Sequence, residues 1–132
     1  MQKTHLQCRE CKKEYDPTFK YICDECFGPL DVHYDFPTLT KNTFVNREQT
    51  YWRYFELLPI TDKSNIVSIN AGMTPLVKAE KLGKEIGLNN LYIKNDSVNP
   101  TFSVKDRPAG VAVSKAKEFG LASVGCASTG NL

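Results

Sequence analysis

The chain has 132 residues, 41% of them hydrophobic and 24% charged, with a formal net charge of +2. So small a charge argues against a strongly basic nucleic-acid or anionic-membrane binder. No apolar run approaches the ~20 residues that span a bilayer, and the amino-terminal MQKTHLQCRE lacks the apolar stretch of a secretory signal, so a cytoplasmic protein with reduced thiols is expected.

Residues 1–35 hold four of the five cysteines. Cys8-x-x-Cys11 and Cys23-x-x-Cys26 form two knuckles with eleven residues between them. Two intervening residues let both sulfurs of a pair point to the same side, and two such pairs offer four thiolates to one tetrahedral ion. Zinc is the default ion and iron the alternative; two disulfides do not suit a reducing compartment. Four thiolates leave no open position, so the metal is expected to be structural, and in so short a segment it would supply most of the folding energy. Gly28 is expected to permit a tight turn after the second pair. His5 and His33 are read as bystanders. Arg9, Lys12, Lys13 and Lys20 are offset by Glu10, Glu14, Asp16, Asp24 and Glu25, which reads as a mixed solvated surface.

Residues 36–70 read as a polar linker with an aromatic lead-in, YWRYFELLPI, whose Tyr51, Trp52, Tyr54 and Phe55 suit a packing surface or a subunit contact. Residues 71–132 read as alternating helices and strands, an α/β pattern with parallel pairing. In TPLVKAEKLGKEIG, Leu76, Ala79, Leu82 and Ile86 recur at helical steps, and Gly87 is placed to stop the helix. LYIKN (91–95) predicts a strand, and NPT a turn. A second helix is predicted over about 103 to 119, with Ala109, Ala112, Val113, Ala116 and Phe119 on its apolar face and Gly120 as its stop. Pro108 is tolerated only in a first turn, so the helix either begins near Arg107 or kinks there. ASVGCA (122–127) predicts the next strand, with Cys126 buried in it, and STGN a turn out of it.

Two places in this third section suggest chemistry. Lys105 lies at a helix mouth, where the dipole and exposed N–H groups favour anions, and so favour the neutral amine that can form a Schiff base. Taken alone the signal is weak, because a lysine beside an aspartate is more often paired and solvated. Ser128, Thr129 and the amides around Gly130 could cradle a carboxylate or phosphate, with Asn131 adding an amide hydrogen bond. That signal too is weak alone.

The ordered series is more specific. The ribbon ending CDECFGPL, then YWRYFELLP, GMTPL, LYIKNDSVNPT, SVKDRP and CASTGN together resemble the amino-terminal part of the threonine synthase family, among the fold type II pyridoxal-phosphate enzymes. The resemblance implies a tryptophan synthase β-like α/β domain, incomplete here, preceded by a zinc-ribbon-like module. It implies that Lys105 is the lysine that holds pyridoxal 5′-phosphate covalently. It implies that Asn131 hydrogen-bonds the pyridoxal 3′-oxygen, and that Ser128, Thr129 and Gly130 grip the substrate carboxylate. Asp106 and Arg107 are part of the motif and are read as scaffold. The sequence departs from the family's pattern at Val104, where phenylalanine is usual, at Phe102, where glycine is common, and at Ala71-Gly72-Met73, where Glu-Gly commonly precedes TPL. These departures bear on the substrate more than on the cofactor.

The implied reaction converts O-phosphohomoserine and water to threonine and phosphate. In the family, the glycine-rich loop for the cofactor phosphate and the partner of the pyridine nitrogen lie further along the chain, so residues 1–132 alone are expected to be inactive. A full-length homo-oligomer is compatible with the sequence, whereas nucleic-acid and membrane partners are not expected. The alternatives are another fold type II enzyme, such as a cysteate synthase or a threonine dehydratase, and, in a different class, a zinc-ribbon binding module, which would leave SVKDRP and CASTGN unexplained.

Overall fold

A computed structural model describes residues 3–127. The first three strands, β1 (Lys3–Cys8), β2 (Glu14–Tyr15) and β3 (Leu30–Asp35), form an antiparallel sheet in the order β2-β1-β3. Leu6 lies opposite both Tyr15 and Val32 and is buried. On the other face His5 and His33 are directly opposed in register, and their rings stack with centroids 5.4 Å apart.

A short helix, α1 (Asn42–Val45), leads to a 3-10 segment at Tyr51–Leu57 and a second one at Lys63–Asn65. The aromatic lead-in supplies the core. Tyr51, Trp52, Ile60 and Ala71 are buried together, with Phe55, Leu58, Ile66 and Val111 packed around them.

The segment starting at Leu76 departs from the helical expectation. Leu76–Lys78 is a strand, β4, followed by the short helix α2 (Glu80–Glu85) and by β5 (Tyr92–Lys94). β4 and β5 pair antiparallel, Leu76 with Lys94 and Lys78 with Tyr92, and the ladder is continued by Ala79 N–H to Leu91 O and Asn95 N–H to Pro75 O. The apparent helical period at positions 76, 79, 82 and 86 spans the end of a strand and the start of a helix. The ladder pairs the backbone groups of residues 75–79 across to 91–95 instead of along a helix.

The third helix, α3, runs from Asp106 to Glu118. Pro108 therefore sits in its first turn, unkinked, where its missing N–H costs nothing. Both helix stops are the expected glycines. Gly87 and Gly120 have positive φ, with Leu88 N–H bonded to Gly83 O and Leu121 N–H to Ala116 O, the six-to-one bond of a Schellman ending. The buried face of α3 is rotated from the apolar face expected. Asp106, Gly110, Ser114 and Ala116 are buried, whereas Ala112 and Val113 are exposed. Close approach and satisfied polar groups set this face. A Cβ at Gly110 would lie 2.6 Å from the Tyr51 hydroxyl, and Ser114 Oγ accepts from Val67 N–H while donating to Gly110 O.

Residues 121–127 form no strand, and Cys126 is exposed, contrary to expectation. Among the described residues all strand pairs are antiparallel. A small-residue strand is held by its ladder neighbours, and no strand among the described residues pairs with 122–127. The ribbon meets α3 at its far end, where Phe19 packs edge-on against Phe119 with centroids 5.9 Å apart.

Candidate functional site

The two knuckles are built alike. The amide of Lys12 bonds back to Cys8 O and that of Phe27 to Cys23 O, and both Lys12 and Phe27 adopt left-handed φ. The amides of Cys8 and Cys23 in turn reach Lys13 O and Gly28 O. Each loop thus folds its two sulfurs inward. All four Sγ atoms, of Cys8, Cys11, Cys23 and Cys26, lie within 4.8 Å of one another, as one metal ion requires, with Cys8 and Cys23 buried and Cys11 and Cys26 exposed. Among the described residues all five cysteines are thiols and none is bridged. Gly28 is needed for proximity rather than for its dihedral angles, since a Cβ there would stand 3.1 Å from Cys8 Sγ and 2.8 Å from Glu10 Cγ.

Tyr15, which sequence reasoning missed, belongs to this cluster. Its hydroxyl is 3.0 Å from Cys23 Sγ, and its oxygen accepts from Asp24 N–H. That hydroxyl is the main reason that the Cys23 thiol is lowered to about 6. Cys11 moves the other way, to about 12. The Lys13 amide pulls it down, but desolvation and the neighbouring cysteine sulfurs outweigh it. Four crowded thiols cannot all ionise without a cation among them, which is the electrostatic pattern of a metal cluster's donor set. His5 and His33 lie outside the set, and His5 Nε2 instead faces Glu14 Oε1 at 3.8 Å.

Lys105 immediately precedes α3 and is exposed. Its backbone amide donates to Ser103 Oγ at 3.2 Å. Among the described residues its ammonium has neither a hydrogen-bond nor an ion-pair partner. The neighbouring charges are committed elsewhere. Asp106, 4% exposed, accepts from Thr101 N–H at 2.8 Å and from the Thr101 hydroxyl. Arg107 donates through Nη1 to Gly72 O at 2.8 Å, and through Nη2 to Asp96 Oδ1 at 2.5 Å and Thr74 Oγ1 at 3.3 Å. The common fate of a lysine beside an aspartate, a solvated pair, is therefore not the one seen here.

Around Arg107 the chain closes a polar knot. Asn99, 2% exposed, accepts from Gly72 N–H at 3.0 Å and donates to Asp96 O at 2.9 Å. Thr74 donates to Asp96 Oδ1 at 2.6 Å, and Lys94 Nζ reaches Thr74 O. Arg107 first, and then the Thr74 hydroxyl, hold the Asp96 carboxyl below its ordinary range. Thr74, Asp96 and Asn99 carried no individual signal in the sequence, because the knot joins residues up to 35 positions apart, with Gly72–Asn99 27 apart and Gly72–Arg107 35.

Phe102 and Val104, which flank this site, are 80% and 57% exposed, and Phe102 has a left-handed φ of 58°. Ser128, Thr129, Gly130 and Asn131 lie outside the described residues.

A family model described as pyridoxal-phosphate dependent enzyme matches residues 67–132, half of the chain. The chain belongs to this family. It is 45% identical over 130 residues to a threonine synthase of Methanocaldococcus jannaschii, covering 95% of this chain and 32% of that protein. It is 42% identical over 130 residues to a threonine synthase of Methanosarcina acetivorans, covering 96% of this chain and 32% of that protein. A threonine synthase of Halalkalibacterium halodurans is 46% identical over 78 residues, 59% of this chain and 22% of that protein. The chain thus spans about a third of the length of the first two relatives, and its match to them includes the cysteine segment. The site fits the family's cofactor in donor chemistry: Lys105 is a primary amine without a partner among the described residues, on a backbone that its neighbours tie down. No helix among the described residues is long and apolar enough to cross a membrane.

Proposed function

We propose that the full-length protein carrying this chain is a threonine synthase, which converts O-phosphohomoserine and water to threonine and phosphate. The observation that carries this reading is Lys105. Lys105 is exposed at the mouth of α3, and its amine has no partner among the described residues, while Asp106 is bound to Thr101 and Arg107 to Asp96, inside the stretch that matches the family. The similarity to threonine synthases supports this reaction over the family's other chemistries.

Pyridoxal phosphate, when bound, supplies the electron sink for charge that develops on the substrate. Lys105 would hold it through Nζ and, once displaced by the substrate amine, would move protons at the substrate Cα. Asn131 would hydrogen-bond the pyridoxal 3′-oxygen, and Ser128, Thr129 and Gly130 would orient the substrate carboxylate; for these four residues the CASTGN motif is the support. Cys8, Cys11, Cys23 and Cys26 would hold a structural zinc ion, since four thiolates close a tetrahedron and leave no position for substrate.

The test is an assay of the full-length protein, loaded with pyridoxal phosphate, on O-phosphohomoserine. Stoichiometric threonine and phosphate, both abolished in Lys105→Ala, support the reading. A folded, loaded protein that ignores O-phosphohomoserine but deaminates threonine would replace it with the dehydratase reading.

A further inference from the structure

We propose that Arg107 is a positioning residue for the Lys105 amine, acting through the polar knot beneath the first turn of α3. The inference rests on the reading of Lys105 as the cofactor lysine, and it assigns a task to a neighbour that does not touch the reacting atoms.

Lys105 has no side-chain partner of its own among the described residues. What the protein fixes is the place and direction in which the side chain leaves the backbone at the start of α3, and that start is held by its second residue. Arg107 sits two positions after Lys105 and ties two other segments to α3, the stretch 72–74 through Gly72 O and Thr74 Oγ1 and the turn at Asp96 through Oδ1. Its backbone carbonyl is also engaged, by the Tyr51 hydroxyl at 3.4 Å. The other end of the knot is equally committed. Asn99 takes the Gly72 amide and donates to Asp96 O, so both polar groups of the Gly72 residue are used. Gly72 has φ +100°, and a Cβ there would stand 2.7 Å from Arg107 Nη1, so the loop lies directly against the guanidinium. A planar fork can serve the Gly72 carbonyl and the Asp96 carboxylate at once, whereas an ammonium is a point charge that cannot reproduce both directions. Removal of the fork leaves the lysine in place and loosens the turn that aims it. Misplacement of a reacting group by about 1 Å can cost about a hundredfold in rate.

The experiment traps the full-length protein with pyridoxal phosphate and borohydride and maps the label, using as readout the ratio of label on Lys105 to label on Lys81, an exposed lysine on α2. Unfolding alone would equalise exposed lysines, so each variant is assayed below its unfolding temperature. Ser114→Ala is the control for damage to α3 remote from the knot, since it removes the buried bond to Val67 N–H. Arg107→Lys is expected to lower the Lys105:Lys81 ratio by about tenfold while Ser114→Ala leaves it unchanged. Asp96→Asn, which keeps Arg107 and removes its anion, is expected to lower the ratio in the same direction and serves if Arg107→Lys does not fold. Wild-type label on Lys105 with no greater loss in the Arg107 and Asp96 variants than in Ser114→Ala overturns the positioning role and leaves the cofactor reading intact. A wild-type protein unlabelled at Lys105 overturns both.

Discussion

Both carboxylate oxygens of Asp106 are engaged by Thr101, one by its amide and the other by its hydroxyl, so the acid next to Lys105 in sequence serves the preceding turn. The pair closes the loop from Asn99 to the start of α3. Asp106→Ala leaves the Thr101 amide and hydroxyl without their charged acceptor. A loss of about 2 kcal/mol in unfolding free energy is expected, measured by urea titration. A loss no larger than that of an ordinary surface substitution would mean that the loop is held by other contacts.

Phe102 occupies a left-handed backbone conformation that costs a non-glycine residue about 1–2 kcal/mol. Its ring is 80% exposed, so little packing is lost when it is removed. Phe102→Gly and Phe102→Ala both delete the ring, but only glycine relieves the backbone. Phe102→Gly is therefore expected to be more stable than Phe102→Ala by about 1 kcal/mol, the glycine entropy cost having been subtracted. Equal stabilities in thermal unfolding would argue that this dihedral carries no strain.

The knot should be visible in the pH dependence of stability. Asp96 is depressed in the folded protein, chiefly by Arg107, so the unfolded chain takes up the proton first as pH falls. Its contribution is then complete above the ordinary aspartate value of about 3.9 and is lost as pH falls through the lower folded value. Asp31, Glu56, Asp62 and Glu118 are depressed as well and contribute slopes of the same sign. Urea midpoints measured from neutral pH down to acid should fall less steeply for Asp96→Asn than for the wild type. Parallel curves would show that the pair does not couple to folding.

Gly110 pairs with Tyr51 across the core. An alanine in mid-helix ordinarily gains about 1 kcal/mol over glycine. Here the added Cβ would stand 2.6 Å from the Tyr51 hydroxyl, and the overpacking should cost about 1–3 kcal/mol instead. Gly110→Ala is expected to lower Tm, and Tyr51→Phe combined with it to recover part of the loss. A raised Tm in the single variant would mean that Tyr51 moves aside at no cost.

How much of this was legible in the sequence differs from site to site. The knuckles were legible because ligand spacing is local: two residues between cysteines suffice to turn both sulfurs inward. The glycine stops of α2 and α3, and the place of Pro108 in a first turn, were legible for the same reason, since a cap depends on dihedral angles within one turn. Lys105 stood out only through the ordered series of motifs around it. The strand at Leu76–Lys78 was not legible, because a three-residue strand exists only through its partner at Tyr92–Lys94. Nor was the buried face of α3, which Gly110 and Ser114 define through Tyr51 and Val67 rather than through hydropathy.

By itself, then, the sequence determined the chemistry on offer: four thiols in two paired turns, one lysine at a helix mouth, and the punctuation of the helices. Only the tertiary structure decided what each charge does. Hydrogen bonds that span from 5 residues, between Asp106 and Thr101, to 35, between Arg107 and Gly72, take up both charges next to Lys105 and leave its amine without a partner among the described residues. Adjacency in the chain says nothing about which of several partners a side chain reaches; that is settled when the backbone brings them within about 3 Å.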